Sequence, residues 1–167
     1  MFGKRRKDHP APAEIYEDLR QQIFELDPAD VGIASTPDLP TVWGTMIDMG
    51  QPDGTATLLA LADGTTSLYT SGGGGILGAG EHAHVAAATM SLLHVVERHL
   101  CLIPLTADRS LPVPGRVVIR ALTYLGAHAT EAAEADLAHR RHSLSPVFHA
   151  AHAVLTELRM LDRSGDP

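Results

Sequence analysis

Two turn signatures within one short stretch constrain this chain more than anything else in it. Gln51-Pro52-Asp53-Gly54 presets φ at its proline and accepts positive φ at its glycine. Asp63-Gly64 is a two-residue hairpin signal. The runs around them are rich in strand formers: Thr41 to Met49, Thr55 to Ala62 and Thr65 to Thr70. Strands joined by turns this tight pair antiparallel, so residues 41–70 are expected to form a three-stranded meander.

The remaining elements attach to that meander. Ile15, Leu19, Ile23 and Leu26 recur at helical period and predict a helix over 13–26, which Asp27-Pro28 ends. Residues 27–40 form a proline-bearing connector. After the glycine-rich run Ser71 to Gly80, the stripe Val85, Thr89, Leu92, Val96 and Leu100 predicts a long helix over 81–100. Residues 104–115 hold three prolines and a glycine and are expected to be a loop. Arg116 to Tyr124 is β-branched and predicts a fourth strand. Ala127 to Leu137 favours helix by propensity, but a strand over 127–132 gives the fourth strand a hairpin partner and is the assignment adopted. Ser145 is expected to cap a final helix with Pro146 at its first position and Val147, Ala151, Val154, Leu158 and Leu161 as its stripe. The expected class is α+β, order α-βββ-α-ββ-α, with helices packed on a five-stranded antiparallel sheet. One domain is expected over 13–161, between a basic tail at 1–12 and a short tail at 162–167.

Length and charge exclude several functions. A chain of 167 residues buries enough surface to fold without a metal or disulfide. Its one cysteine, Cys101, excludes an internal disulfide framework. No apolar stretch looks long enough to cross a bilayer. The formal charge is −7. The first ten residues hold Lys4, Arg5, Arg6 and Lys7 against Asp8, and the other 157 carry nine basic against nineteen acidic side chains, a net of −10. A body that acidic repels phosphate backbones, so nucleic acid is not an expected partner. The basic start lacks the apolar run of a signal peptide, which leaves residence in the cytoplasm without stable membrane association as the expectation. The ten histidines give scope for pH response.

Four groups of residues bear on chemistry. Gly73, Gly75 and Gly78 satisfy G-x-G-x-x-G, and such a loop before a helix can bare N–H groups to a phosphate. The antiparallel setting does not match a dinucleotide-binding unit, and Glu81 follows Gly80 where a phosphate loop needs lysine. The same glycines equally suit a crossover lying close against the sheet. His149 and His152 stand at i and i+3 and could begin a metal site, but no third ligand is evident, and solvent-facing histidines are the simpler reading. Cys101 reads as a small apolar filler after a buried helix rather than a nucleophile. Asp48 and Asp53 flank the first turn and could be paired carboxylates, although the turn already explains Asp53. Trp43, Tyr69 and Tyr124 fall on or beside strands, as sheet packing or as anchors of a self-association surface.

This element order resembles the profilin/roadblock/longin type of small α/β sandwich. The stretches VWGTMIDMGQPDGTATLLALADGTTSLYTSGGGG and HRRHSLSPVFHAAH are also similar to small single-domain bacterial proteins without an assigned activity. The roadblock resemblance implies a dimeric scaffold that binds other proteins, often small GTPases. It implies no catalysis and transfers no site residue. The expected function is therefore a non-catalytic interaction or scaffold domain without a cofactor, its partner another protein or a second copy. The alternative is phosphate- or nucleotide-type ligand binding, or catalysis, at the glycine-rich loop 72–80.

Overall fold

The computed structural model describes residues 10–165; the basic arm at 1–9 and the last two residues lie outside the described residues. One antiparallel sheet organises the chain. Its strands are β1 (Val42–Gln51), β2 (Gly54–Leu61), β3 (Thr66–Thr70), β4 (Gly75–Ile76), β5 (Arg116–Thr123) and β6 (Gly126–Ala133). They lie in the order β4-β3-β2-β1-β5-β6. The meander forms as expected, with the Pro-Asp-Gly turn joining Gln51 to Gly54 in register. The stretch 127–132 is strand: β6 pairs with β5 along its whole length, from Arg116 opposite Ala133 to Thr123 opposite Gly126. Pairing with the buried β5 overrides the helix propensity of its alanines.

The sheet has six strands rather than five. The extra one, β4, lies inside the glycine-rich run and pairs Leu68 with Ile76 and Tyr69 with Gly75. A Cβ on Gly75 would overlap the carbonyl oxygen of Leu68, so only glycine lets the chain return this close. Gly80 is subject to the same limit against the carbonyl oxygen of Gly64.

Among the described residues four helices accompany the sheet: α1 (Pro12–Glu25), α2 (Ala83–His99), α3 (Glu134–Ala138) and α4 (Ser145–Ser164). The short α3 was not anticipated and sits between β6 and α4. Ser145 is the first residue of α4, with Leu144 at the cap, and the helix continues through residues 162–164, into the stretch read as tail. Strand alternation sorts the core into two layers. Ile47, Met49, Leu58, Ala60, Val117, Ile119 and Ala121 face α2 and α4, whose Val85, Leu92, Leu93, Val96, Val147, Ala151, Val154 and Leu158 complete the larger layer. By length and mean hydropathy, 1.2, the segment Ala83–Leu102 also passes for a bilayer span, which corrects the sequence reading; its buried residues here belong to this layer.

The opposite face carries Met46, Leu59, Leu61, Tyr69 and Leu122 beneath α1. A register shift between Val42 and Gly44 brings Trp43 to this side as well. The face that α1 buries is rotated by one residue from the expected stripe: Tyr16 and Arg20 are buried, whereas Ile15 is exposed. Pro12 at the first position and Glu14, whose carboxylate accepts from the Ala11 N–H at 3.2 Å, start the helix.

Close approach at Gly80 gives a direct check. Gly80→Ala should destabilise by about 1–3 kcal/mol in denaturant unfolding, as overpacking against backbone does. Gly72→Ala, at a position open on all sides, should stay within about 0.5 kcal/mol.

Candidate functional site

Cross-strand register explains why one carboxylate can lie in the middle of the sheet. Asp48 is fully buried in β1, opposite Thr57 of β2 and Val118 of β5. Arg120 lies one pair further along β5 on the same face, within diagonal reach of a long side chain. From above, α1 lowers Arg20. Arg20 Nη1 donates to Asp48 Oδ1 at 2.5 Å, and Arg120 Nη1 donates to Asp48 Oδ2. The Thr57 hydroxyl also donates to Asp48 Oδ1 at 2.7 Å, and Tyr16 Oη meets Thr57 Oγ1 at 2.6 Å.

The spare hydrogens of both guanidinium groups tie down the loop that follows α2. Arg20 Nη2 donates to the Arg109 carbonyl at 3.3 Å, and Arg120 Nη2 to the Ser110 carbonyl at 2.6 Å. Phe24 lies under all three arginines, with Arg109 nearest at 4.5 Å. Burial works against both buried cations. For Arg20, contact with Asp48 more than offsets burial and holds the guanidinium above its ordinary range. For Arg120 burial wins, and the proximity of Arg20 adds to it.

Pinned in this way, α1 forms one wall of a groove of about 380 Å³. Pro12, Ile15 and Leu19 line the helix side, Tyr69 lies across the floor, and Gly73 to Gly75 with Leu77 form the far wall. Among the described residues no ionised side chain lines it. Leu77 is 63% exposed and Ile15 46%, so apolar surface continues onto both lips. Tyr69 packs against Tyr16 at 5.4 Å between centroids. Its buried Oη has no hydrogen-bond partner among the described residues, and burial raises its pKa above the ordinary phenol range.

The structure brings some of the sequence-predicted residues together and separates others. Gly73 and Gly75 line the groove with Tyr69. Gly78, at φ 66°, precedes the single 3-10 turn Ala79–Glu81 and donates to Ser67 Oγ at 3.3 Å. Gly80 packs on Gly64, and Glu81 is exposed beyond it. Trp43 and Tyr69 are buried beneath α1, which leaves Tyr124 as the exposed aromatic of the three expected anchors. Asp48 and Asp53 do not act as a pair: Asp53 is exposed in the turn and Asp48 belongs to the arginines. Cys101 is exposed in a 3-10 turn, not a core filler, because α2 ends one residue before that turn begins.

Sequence reading overlooked Arg20 and Arg120. Their signal was an arginine in the middle of the face that α1 buries and another in the middle of the β-branched run of β5.

His149 and His152 do not face solvent freely. Both are half-buried around Phe148, with His152 at 4.3 Å from its ring, and the Nε2 atom of each is buried without a partner among the described residues. No third metal-ligating side chain joins them among the described residues. Comparison with models of known families, with curated proteins and with solved structures finds no match.

Burial lowers the His152 pKa, Arg159 and His149 add to this, and Glu134 opposes it. The unfolded chain therefore takes up the proton first as pH falls below about 6.5, and the folded state loses stability as pH descends further. His152→Gln should flatten the decline in melting temperature between neutral pH and pH 5, measured side by side with the parent chain.

Proposed function

We propose that this protein is a non-catalytic interaction domain that pairs with a second copy of itself across the α1–β3–glycine-loop groove. The observation that carries this reading is the groove's uncharged lining among the described residues, with Leu77 and Ile15 raised on its lips. A chain of net charge −7 repels its own copy over most of its surface. Close approach costs least where no ionised group lines the contact. A two-fold contact also needs projection and recess within one patch, and Leu77 beside the groove supplies both. The buried Tyr69 supports this surface from below. A dimeric scaffold of the kind implied by the roadblock resemblance is consistent with the same surface, with a further protein as its client.

A second reading has its own observation. The groove is of ligand size, Gly73 to Gly75 bring bare backbone to its wall, and the Tyr69 Oη lies nearby without a partner among the described residues. An apolar ligand with a hydrogen-bond acceptor suits that lining. A phosphate suits that lining less, because no cation lines the groove among the described residues.

Native mass spectrometry of the untagged chain tests both readings. The expected result is two chains at high micromolar concentration, and a single chain for Leu77→Asp with unchanged circular dichroism. A parent chain that stays monomeric overturns self-association. A stoichiometric organic adduct on that monomer establishes the second reading instead.

A further inference from the structure

His139, His142, His149 and His152, four of the chain's ten histidines, fall where α3 turns into α4. One of these side chains holds the turn. His142 Nδ1 accepts from the Leu144 N–H at 3.0 Å. An imidazole nitrogen that accepts carries no hydrogen, so this bond exists only while Nδ1 is unprotonated. Leu144 is the cap residue of α4 and is 1% exposed. The ring thus serves a backbone donor that is costly to leave unpaired.

Further bonds close the same turn. The His142 carbonyl accepts from the Ser145 N–H at 3.0 Å, and the Asp136 carbonyl of α3 accepts from the Arg141 N–H at 2.8 Å. Arg140, at φ 59°, is the one non-glycine residue with positive φ among the described residues. An arginine stays at that φ because the contacts around it hold it there.

The surrounding charges disfavour a proton. His142 is half-buried at the N-terminal end of α4, and that end of a helix repels a cation. The other titratable and charged groups of the turn are His139, Arg140, Arg141 and Asp136, and the Asp136 carboxylate is already paired with Arg141 at 2.9 Å. Deeper in α4, His149 and His152 present a second obstacle to charge, because both Nε2 atoms are buried without a partner among the described residues. At His152, burial, Arg159 and His149 work against the proton and Glu134 of α3 favours it. Helix α2 also packs on α4 but supplies none of the charges acting on His152 among the described residues.

We propose that the α3–α4 turn is an acid-released latch: unprotonated His142 keeps it closed, and a proton on Nδ1 frees the Leu144 N–H, opens residues 134–152 and uncovers Leu137, Leu144 and Phe148. These three belong to the larger core layer, so the latch is separate from the groove beside α1. The opened segment takes up protons that the closed one excludes, and opening is favoured as pH falls below about 6.5. Each histidine kept neutral in the closed state raises the opening equilibrium about 25-fold between pH 7 and pH 5.

Hydrogen exchange of the full chain at pH 7 and pH 5, corrected for the intrinsic rate at each pH, tests this. Amides of residues 134–152 should lose at least about tenfold in protection at pH 5 relative to those of β1 and β5, and regain it on return to pH 7. His142→Asn offers the Leu144 N–H a side-chain oxygen that does not titrate, and it should remove most of the loss. His139→Gln, exposed in the same turn, should leave the loss unchanged. If His142→Asn does not fold, the Nδ1 resonance of His142 in the parent chain decides: it should change over the pH range in which the segment opens, and a protonated Nδ1 in a segment that stays closed overturns the proposal. Equal protection at both pH values, a loss spread evenly over the sheet, or a loss undiminished in His142→Asn also overturns it.

Discussion

A carboxylate with no solvent exposure, gripped by two arginines from different elements, is the contact on which this architecture turns. Asp48 belongs to β1, Arg120 to β5 and Arg20 to α1. The two guanidinium groups pass the restraint on to Arg109 and Ser110 of the loop after α2. One buried charge thus fixes the relation of the sheet to everything lying on one of its faces. Such a group adds little net stability over an apolar core of the same shape, but leaving one partner unpaired is strongly destabilising. Its consequence is positional: α1 has one seat.

That seat creates the groove. Were α1 free to slide, Tyr69 would lie open and the glycine-rich strand would face water across an empty span. With α1 fixed through Tyr16 and Arg20, its exposed Ile15 and half-buried Leu19 stand opposite Gly73 to Gly75. The glycines serve the other wall, because β4 and the turn after it approach β3 and Gly64 more closely than any side chain allows. The opposite face of the sheet, covered by α2 and α4, is the bulk of the hydrophobic core.

How much of this the sequence discloses depends on the range of the interaction. The meander is local: Asp-Gly and Pro-Asp-Gly turns decide it within a few residues, and it forms as read. Strand β6 is legible because a buried β5 needs a neighbour. Strand β4 is not, since Gly75 and Ile76 carry no alternation and their pairing follows from an absent Cβ rather than from a side chain. In α1 the apolar residues suggest a face one residue away from the one used, because the interior demands Arg20 for Asp48 as well as apolar contact. Asp48 was visible as a carboxylate, but its partners were not, since they depend on a strand register that brings Val118 and then Arg120 alongside. His149 and His152 illustrate the same limit: their helical spacing is legible, but the packing that buries both Nε2 atoms against Phe148 is tertiary.

The central claim is that Asp48 holds α1 and the 104–110 segment onto the sheet while the α2–α4 layer stands without it. Native-state hydrogen exchange on Asp48→Asn tests this most directly, since amides report local opening element by element. The account predicts that α1 and residues 104–110 lose protection by a large factor while α2, α4 and the central strands keep theirs. Unchanged protection in α1, or an equal loss throughout the chain, would contradict it.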